Sequence, residues 1–193
     1  MNSAIKTKDL YNRAAKFYDL HSKLAEMIWF ARWRKKFFSP LIGNILEVGI
    51  GTGMNIAYYN KNAKVTGIDF SEKMLEQAYI KLNRSEKKNI ALKQADVENL
   101  NFKDNSFDYV VTSCVFCSVP HPEKGLKEIK RVLKPTGKLI MIEHVLSKNP
   151  LIAFIENALN PLIRSFMGAN INRDIRQNII NAGMGIIKDK NLH

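Results

Sequence analysis

Cysteine is nearly absent from this chain of 193 residues: Cys114 and Cys117 are the whole supply. Two thiols three positions apart make no disulfide framework. A structural zinc site would need a second pair of ligands nearby, and the sequence has none, so no metal is expected. Long apolar runs are missing as well. None approaches the roughly 20 residues that span a bilayer, and the start, M-N-S-A-I-K-T-K-D, has no apolar signal-peptide core. A cytoplasmic location is the expectation. Internal repeats and low-complexity stretches are absent too. With 46% hydrophobic residues, the length suits one domain, 1–193, around one sizeable core.

Acid is the last shortage. Eighteen Asp and Glu face thirty Lys and Arg, a net charge of +12. The excess is uneven, since residues 1–43 hold nine basic and three acidic side chains. Such a balance suits nucleic acid, an anionic membrane or an acidic substrate. A generally lysine-rich composition explains scattered lysines equally well.

What is present is organised around Asn44–Asn55, N-I-L-E-V-G-I-G-T-G-M-N. Ile45, Leu46 and Val48 read as a short strand buried on both faces. Gly49, Gly51 and Gly53 follow at every second position; glycine permits positive φ and leaves room for a ligand at the backbone. A helix is expected next, then Lys64-Val-Thr-Gly-Ile-Asp69 as a second strand ending in a carboxylate. This is the nucleotide-binding βαβ order. The spacing argues against a dinucleotide, whose G-x-G-x-x-G places its third glycine for helix–strand packing. Here the run is E-x-G-x-G-x-G. Glu47 would repel a pyrophosphate and suits a cationic amino-acid group, and Asp69 is placed to accept hydrogen bonds from a ribose diol.

The rest of the chain keeps the α/β rhythm. Residues 5–38 contain no Gly or Pro and read as mostly helical. Within them, residues 27–38 interleave Trp29, Phe30, Trp33, Phe37 and Phe38 with Arg32, Arg34, Lys35 and Lys36. That pattern suits the headgroup–acyl boundary of an anionic membrane, or a helix that packs its aromatics on the domain and wets its cations. Ser71 is placed to cap a helix with Met74, Leu75, Ala78 and Leu82 on one face; Met74 there either touches a bound base or belongs to the core. Residues 89–96 form a third strand signal ending at Asp96, which fits either a base amine or a turn. Tyr109–Cys114 is a fourth strand, Glu123–Leu133 an amphipathic helix, and Lys138–Glu143 a fifth strand after Lys134-Pro-Thr-Gly137. Leu151–Met167 reads as an apolar helix interrupted at Pro161, Arg173–Ala182 as a shorter polar helix, and Met184 as the start of a sixth strand. Alternation at this pace implies a parallel sheet wound on both sides. Ligands in such sheets lie beyond the carboxyl ends of the strands, where Gly49–Gly53, Asp69, Asp96, Ser113–Cys117 and Glu143–His144 converge.

The glycine motif resembles that of the class I S-adenosylmethionine (SAM) methyltransferases, whose cofactor carries an amino acid, a ribose and no phosphate. The span from Tyr11 to His193 resembles the small class I enzymes of the ubiquinone/menaquinone and phospholipid N-methyltransferase-like group. The matching pieces are Y-x-R-A-A-x-F-Y-D, I-L-E-V-G-I-G-T-G-M-N, V-T-G-I-D-F-S-E-x-M-L, Q-A-D-V-E-x-L-x-F, S-F-D-Y-V-V and R-V-L-K-P-T-G-K-L. V-F-C-S-V-P followed by I-E-H, and N-P-L-I-R-S-F-M-G-A-N-I-N-R, are similar to a branch with lipid-methyltransferase-like proteins and membrane-associated thiol methyltransferases. The resemblance implies SAM as cofactor and S-adenosylhomocysteine as product. It implies a cofactor site of Glu47, Gly49, Gly51, Gly53, Asn55, Asp69, Phe70, Asp96, Val97 and Ser113, with Met74 near the adenine. Tyr11 and Tyr18 belong to the segment that closes over it.

The expected fold is therefore α/β, a Rossmann-like doubly wound, mostly parallel sheet. Residues 1–40 form an N-terminal helical lid, 44–145 the SAM-binding core, and 150–193 acceptor-side helices and the last strand. One departure is expected: the chain runs out before the antiparallel seventh strand, leaving the final β-hairpin incomplete.

Methyl transfer from a sulfonium needs alignment and exclusion of water more than acid–base help. If a base is required, the residues near the strand ends are His121, Glu143, His144, Cys114 and Cys117, with His144 and its neighbour Glu143 the chosen pair. The basic aromatic start and the apolar 151–167 segment point to a hydrophobic or membrane-associated small acceptor: a phospholipid amine, a quinone-type ring or a thiol. Peripheral attachment to the inner face of a membrane goes with it. The alternative is an RNA-binding or RNA-modifying methyltransferase using the basic surface. Against it, no N/D-P-P-[FY] motif follows the fourth strand and no separate RNA-binding module is present. A cofactor-binding protein without catalysis is the third reading.

Overall fold

A computed structural model describes residues 7–15, 31–147 and 149–190. The apolar runs become β1 (Gly43–Val48), β2 (Ala63–Asp69), β3 (Ile90–Gln94), β4 (Phe107–Ser113) and β5 (Leu133–Ile142). They form one sheet in the order β3-β2-β1-β4-β5, every pair parallel. The chain builds outward from β1 to β3, then crosses back to β4 on the other side of β1. The carboxyl ends of β1 and β4 therefore flank the switch point at which such sheets bind ligands.

Side chains alternate across a strand, so neighbouring residues of β1 serve different cores. Ile45 joins Val65, Ala78, Val111 and Phe38 on one face. That face is covered by α2 (Ala31–Phe38) and α3 (Glu72–Arg84). Leu46 joins Ile68, Val110, Leu126, Ile129 and Ile175 on the other, under α4 (Pro122–Val132) and α6 (Ile175–Asn181). Helix α1 covers residues 7–15, and α5 spans Pro150–Met167. As expected, Ser71 Oγ caps α3 by accepting from the Met74 N–H at 3.1 Å.

Four features depart from expectation. No helix forms between β1 and β2; a run of turns closes in a single 3-10 turn, Ile56–Tyr58. β5 starts at Leu133, directly after α4, so Lys134-Pro-Thr-Gly137 lies inside the strand, opposite a register irregularity at Phe107–Tyr109. Pro161 does not interrupt α5. The carbonyl it leaves unbonded, four residues back at the exposed Asn157, is where water can replace the lost bond. Residues 184–190 form no sixth strand. They are held on the α4–α6 side instead: Lys130 Nζ donates to the Gly183 carbonyl at 2.7 Å, Met184 N–H bonds Ile179 O, and Arg176 pairs with Asp189.

Of residues 27–38, the described part is α2, and it is not an all-wet cationic face. Phe38 is fully buried, and Trp33 stacks on Phe37. Arg34, expected among the wetted cations, is buried and donates to Asn55 Oδ1. Trp29, Phe30 and Tyr18 lie outside the described residues.

Candidate cofactor cleft

The three glycines of the turn all have positive φ, but they do different jobs. A Cβ on Gly49 would lie 2.4 Å from Val115 Cγ2, and one on Gly53 would lie 2.6 Å from Ile56 Cδ1 and 3.1 Å from Ala78 Cα. Both keep the turn close to neighbouring elements. A Cβ on Gly51 meets nothing within 4 Å, because Gly51 faces the cleft. We expect Gly53→Ala to cost about 2–4 kcal/mol, combining left-handed strain with overpacking against α3. Chemical denaturation would measure it, and Gly51→Ala, strained but unhindered, should cost less.

Asp69, at the end of β2, ties the turn to the next helix. Its Oδ2 accepts from Gly51 N–H and its Oδ1 from Ser71 N–H, both at 2.8 Å. Burial raises the Asp69 pKa, and these backbone donors oppose the rise. Each oxygen has a second lone pair with which to accept from a ligand hydroxyl. Asp69 lines a cleft with Gly49, Gly51, Phe70, Met74, Asp96, Val97 and Ser113. Met74, which the sequence left between base contact and core, is both buried and cleft-lining. Asp96 also serves a turn, since its Oδ1 accepts from Glu98 N–H at 2.8 Å.

Helix α1 spans the mouth. Tyr11 OH bonds Ser118 Oγ at 2.6 Å on the β4 side. Asn12 Oδ1 accepts from Ser71 Oγ at 2.6 Å on the β2 side, and Lys8 pairs with the exposed Glu72. These contacts join both rims across the top. Val115, Ser118, Val119 and Pro120 also line the cleft; they belong to the V-F-C-S-V-P segment after the fourth strand, to which the sequence assigned no individual cofactor contacts.

Other expected site residues lie elsewhere. Glu47, Gly53 and Asn55 sit behind the turn and do not line the cleft. Glu47 is 1% exposed and accepts from Asn55 Nδ2 at 2.5 Å and Tyr59 OH at 2.9 Å. Among the described residues its oxygens meet these two internal donors and do not face the open cleft. Glu143 faces the β4 loop from below, accepting from Thr112 Oγ1 at 2.6 Å and from the Val115 and Phe116 N–H groups. It positions the loop and does not line the cleft. His144 is half exposed and turns to Glu156 on α5, Nε2 to Oε1 3.3 Å. His121 holds Glu98 through Nδ1 at 2.8 Å. Of the two thiols, Cys114 lines the cleft, in a left-handed conformation (φ +57°), and Cys117 does not. No group of three or more His, Cys, Asp or Glu able to hold a metal occurs among the described residues.

The residues present fit SAM. Two carboxylates, Asp69 and Asp96, would repel phosphate and suit hydroxyls and an amine. Ser113 Oγ is buried in the cleft wall without a hydrogen-bond partner among the described residues, and a buried polar atom of that kind calls for one. Asp69 would hold the ribose, Asp96 the adenine amine, Val97 and Met74 the base's faces, and Gly51 would leave room beside the backbone.

Sheet order, switch-point cleft and carboxylate placement together define a class I methyltransferase fold. Residues 46–141 match the family model described as "Methyltransferase domain". Over 176 residues the chain is 36% identical to a demethylmenaquinone methyltransferase of Lactobacillus johnsonii, covering 85% of this chain and 72% of that one. It is 36% identical over 118 residues to a phosphatidylethanolamine N-methyltransferase of Cereibacter sphaeroides, covering 61% and 58%. A SAM-dependent methyltransferase of Thermotoga maritima shares the fold, with a TM-score of 0.68 at 23% identity over 91% of this chain and 80% of that one. The chain belongs to the SAM-dependent methyltransferase family, and SAM is its cofactor.

Proposed function

We propose that this enzyme methylates a hydrophobic, membrane-associated small acceptor: a phospholipid amine, a quinone-type ring or a thiol. The observation that carries this reading is the cleft wall after β4. Val115, Val119 and Pro120 make it apolar, and Cys114 and Ser118 add only a thiol and a hydroxyl. The relatives named for demethylmenaquinone and phosphatidylethanolamine support the same class. Such an acceptor places the activity at a membrane surface facing the cytoplasm.

SAM supplies a methyl group already activated on a sulfonium. The chain's own work is then alignment and exclusion of water, for which the Tyr11–Ser118 contact and the apolar wall are suited. Neither Glu143 nor His144 lines the cleft, so the proton that an amine, ring or thiol acceptor gives up goes to solvent and not to either of these two residues. Incubating the protein with methyl-labelled SAM and a whole-cell lysate should put label into the organic phase. Label confined to RNA or protein would overturn the reading, RNA being the outcome that the basic surface would explain.

A further inference from the structure

Helix α5 is amphipathic the wrong way round for a helix on a water-facing surface. Two of its polar residues turn inward: Glu156 accepts from Ser147 N–H at 2.9 Å and meets His144, and Asn160 Oδ1 accepts from Ile171 N–H at 2.9 Å, while Asn157, Arg164 and Ser165 stay exposed. Its large apolar residues turn outward. Leu151, Phe154 and Leu162 are 69%, 71% and 57% exposed, and Ile152, Ile155 and Leu159 stand beside them in solvent. Only Glu156 and Arg164 are charged in its 18 residues. A contiguous apolar face of this kind marks an interaction surface.

We infer that α5 lies along an anionic lipid bilayer, with its outer face in the headgroup–acyl boundary. Charge selects this occupant. A second copy of the chain would bring another +12 to the contact, whereas anionic headgroups attract it. Arg164, in the last turn of α5, pairs with no described carboxylate. Arg173, by contrast, is turned inward and donates to the Phe116 carbonyl at 2.8 Å, so Arg164 is the cation that stands beside the apolar face. No described helix is long and apolar enough to cross a membrane, which leaves α5 in the interfacial class. The contact also reaches the site. Gly168, capping α5, lies against Thr7 and Leu10 of α1, and Asn170 holds the Cys117 carbonyl. The functional significance, delivery of acceptor to the cleft, rests on the hydrophobic-acceptor reading.

The test is co-sedimentation of the full chain with vesicles of phosphatidylglycerol and phosphatidylcholine, compared with phosphatidylcholine alone. Wild type should bind the anionic vesicles at least tenfold more strongly. Phe154→Ser with Leu162→Ser, both at exposed positions, should lose at least tenfold in partitioning while SAM affinity stays unchanged; Arg164→Gln should lose less. Equal partitioning of wild type and double variant would overturn the inference. So would a wild-type dimer in light scattering that the double variant abolishes. Lipid methylation in detergent without vesicle binding would defeat the inference and leave the acceptor reading standing. Vesicle binding with no label in any lipid or quinone would do the reverse.

Discussion

Asp69→Ala is expected to weaken SAM binding by about a hundredfold or more, the largest single-residue effect on the cofactor. A carboxylate accepting two ribose hydroxyls makes charge-assisted bonds of about 1.5–3 kcal/mol each, and about 2.8 kcal/mol is already a hundredfold. Alanine also strips the partner from the Gly51 and Ser71 N–H groups that Asp69 now holds, so the turn itself loosens. Asp69→Asn separates the two effects. It keeps the size and one of the two backbone bonds but turns its NH2 toward the other N–H, so it should lose less stability than alanine and still bind SAM at least tenfold more weakly. Titration calorimetry with SAM, alongside thermal unfolding, reads both. If both variants bound SAM within threefold of wild type, the ribose assignment would be lost, whatever became of the fold.

Asp69 was legible because everything that defines it is local: a strand, a turn and an acid within a few residues. Gly51 and the Ser71 cap were legible for the same reason. The partners of Glu47 were not legible because they are brought in by folding. Asn55 follows eight residues later, but Arg34 arrives from α2, and nothing in the pattern of residues 27–38 marks that one cation as the buried one. The partners of Glu143 were hidden for an equivalent reason. An acid at a strand end fits catalysis or loop support equally well in sequence, and only its reach to Thr112 and the Val115 and Phe116 amides decides. In α5 the periodicity shows two faces without showing which one meets the body. The Met184-Gly-Ile-Ile run has strand propensity, yet it docks by Gly183 and Met184 against α4 and α6, a tertiary contact that overrides local preference.

The buried acid behind the turn makes stability depend on pH in a direction opposite to the usual acid case. Burial pushes Glu47 up from 4.5 to about 7, against the Asn55 and Tyr59 donors and the Arg34 charge, which pull it down. Between those values the folded chain holds a proton that the unfolded chain has released. The slope of unfolding free energy with pH is then negative: the contribution is intact below about 4.5 and is lost as pH rises through about 7. A shift of this size corresponds to about 3 kcal/mol. Glu143 moves the same way, pushed up to about 7 by burial, so wild type carries both. Glu47→Gln removes one share. Its stability relative to wild type should rise by about 2–3 kcal/mol between pH 5 and pH 8, read by chemical denaturation at the two values. A difference that stayed flat would mean that Glu47 is already ionised at pH 5 beside Arg34. The Asn55 bridge would then be holding a charged pair, and α2 would be fixed to the glycine turn by an ion pair independent of pH over this range.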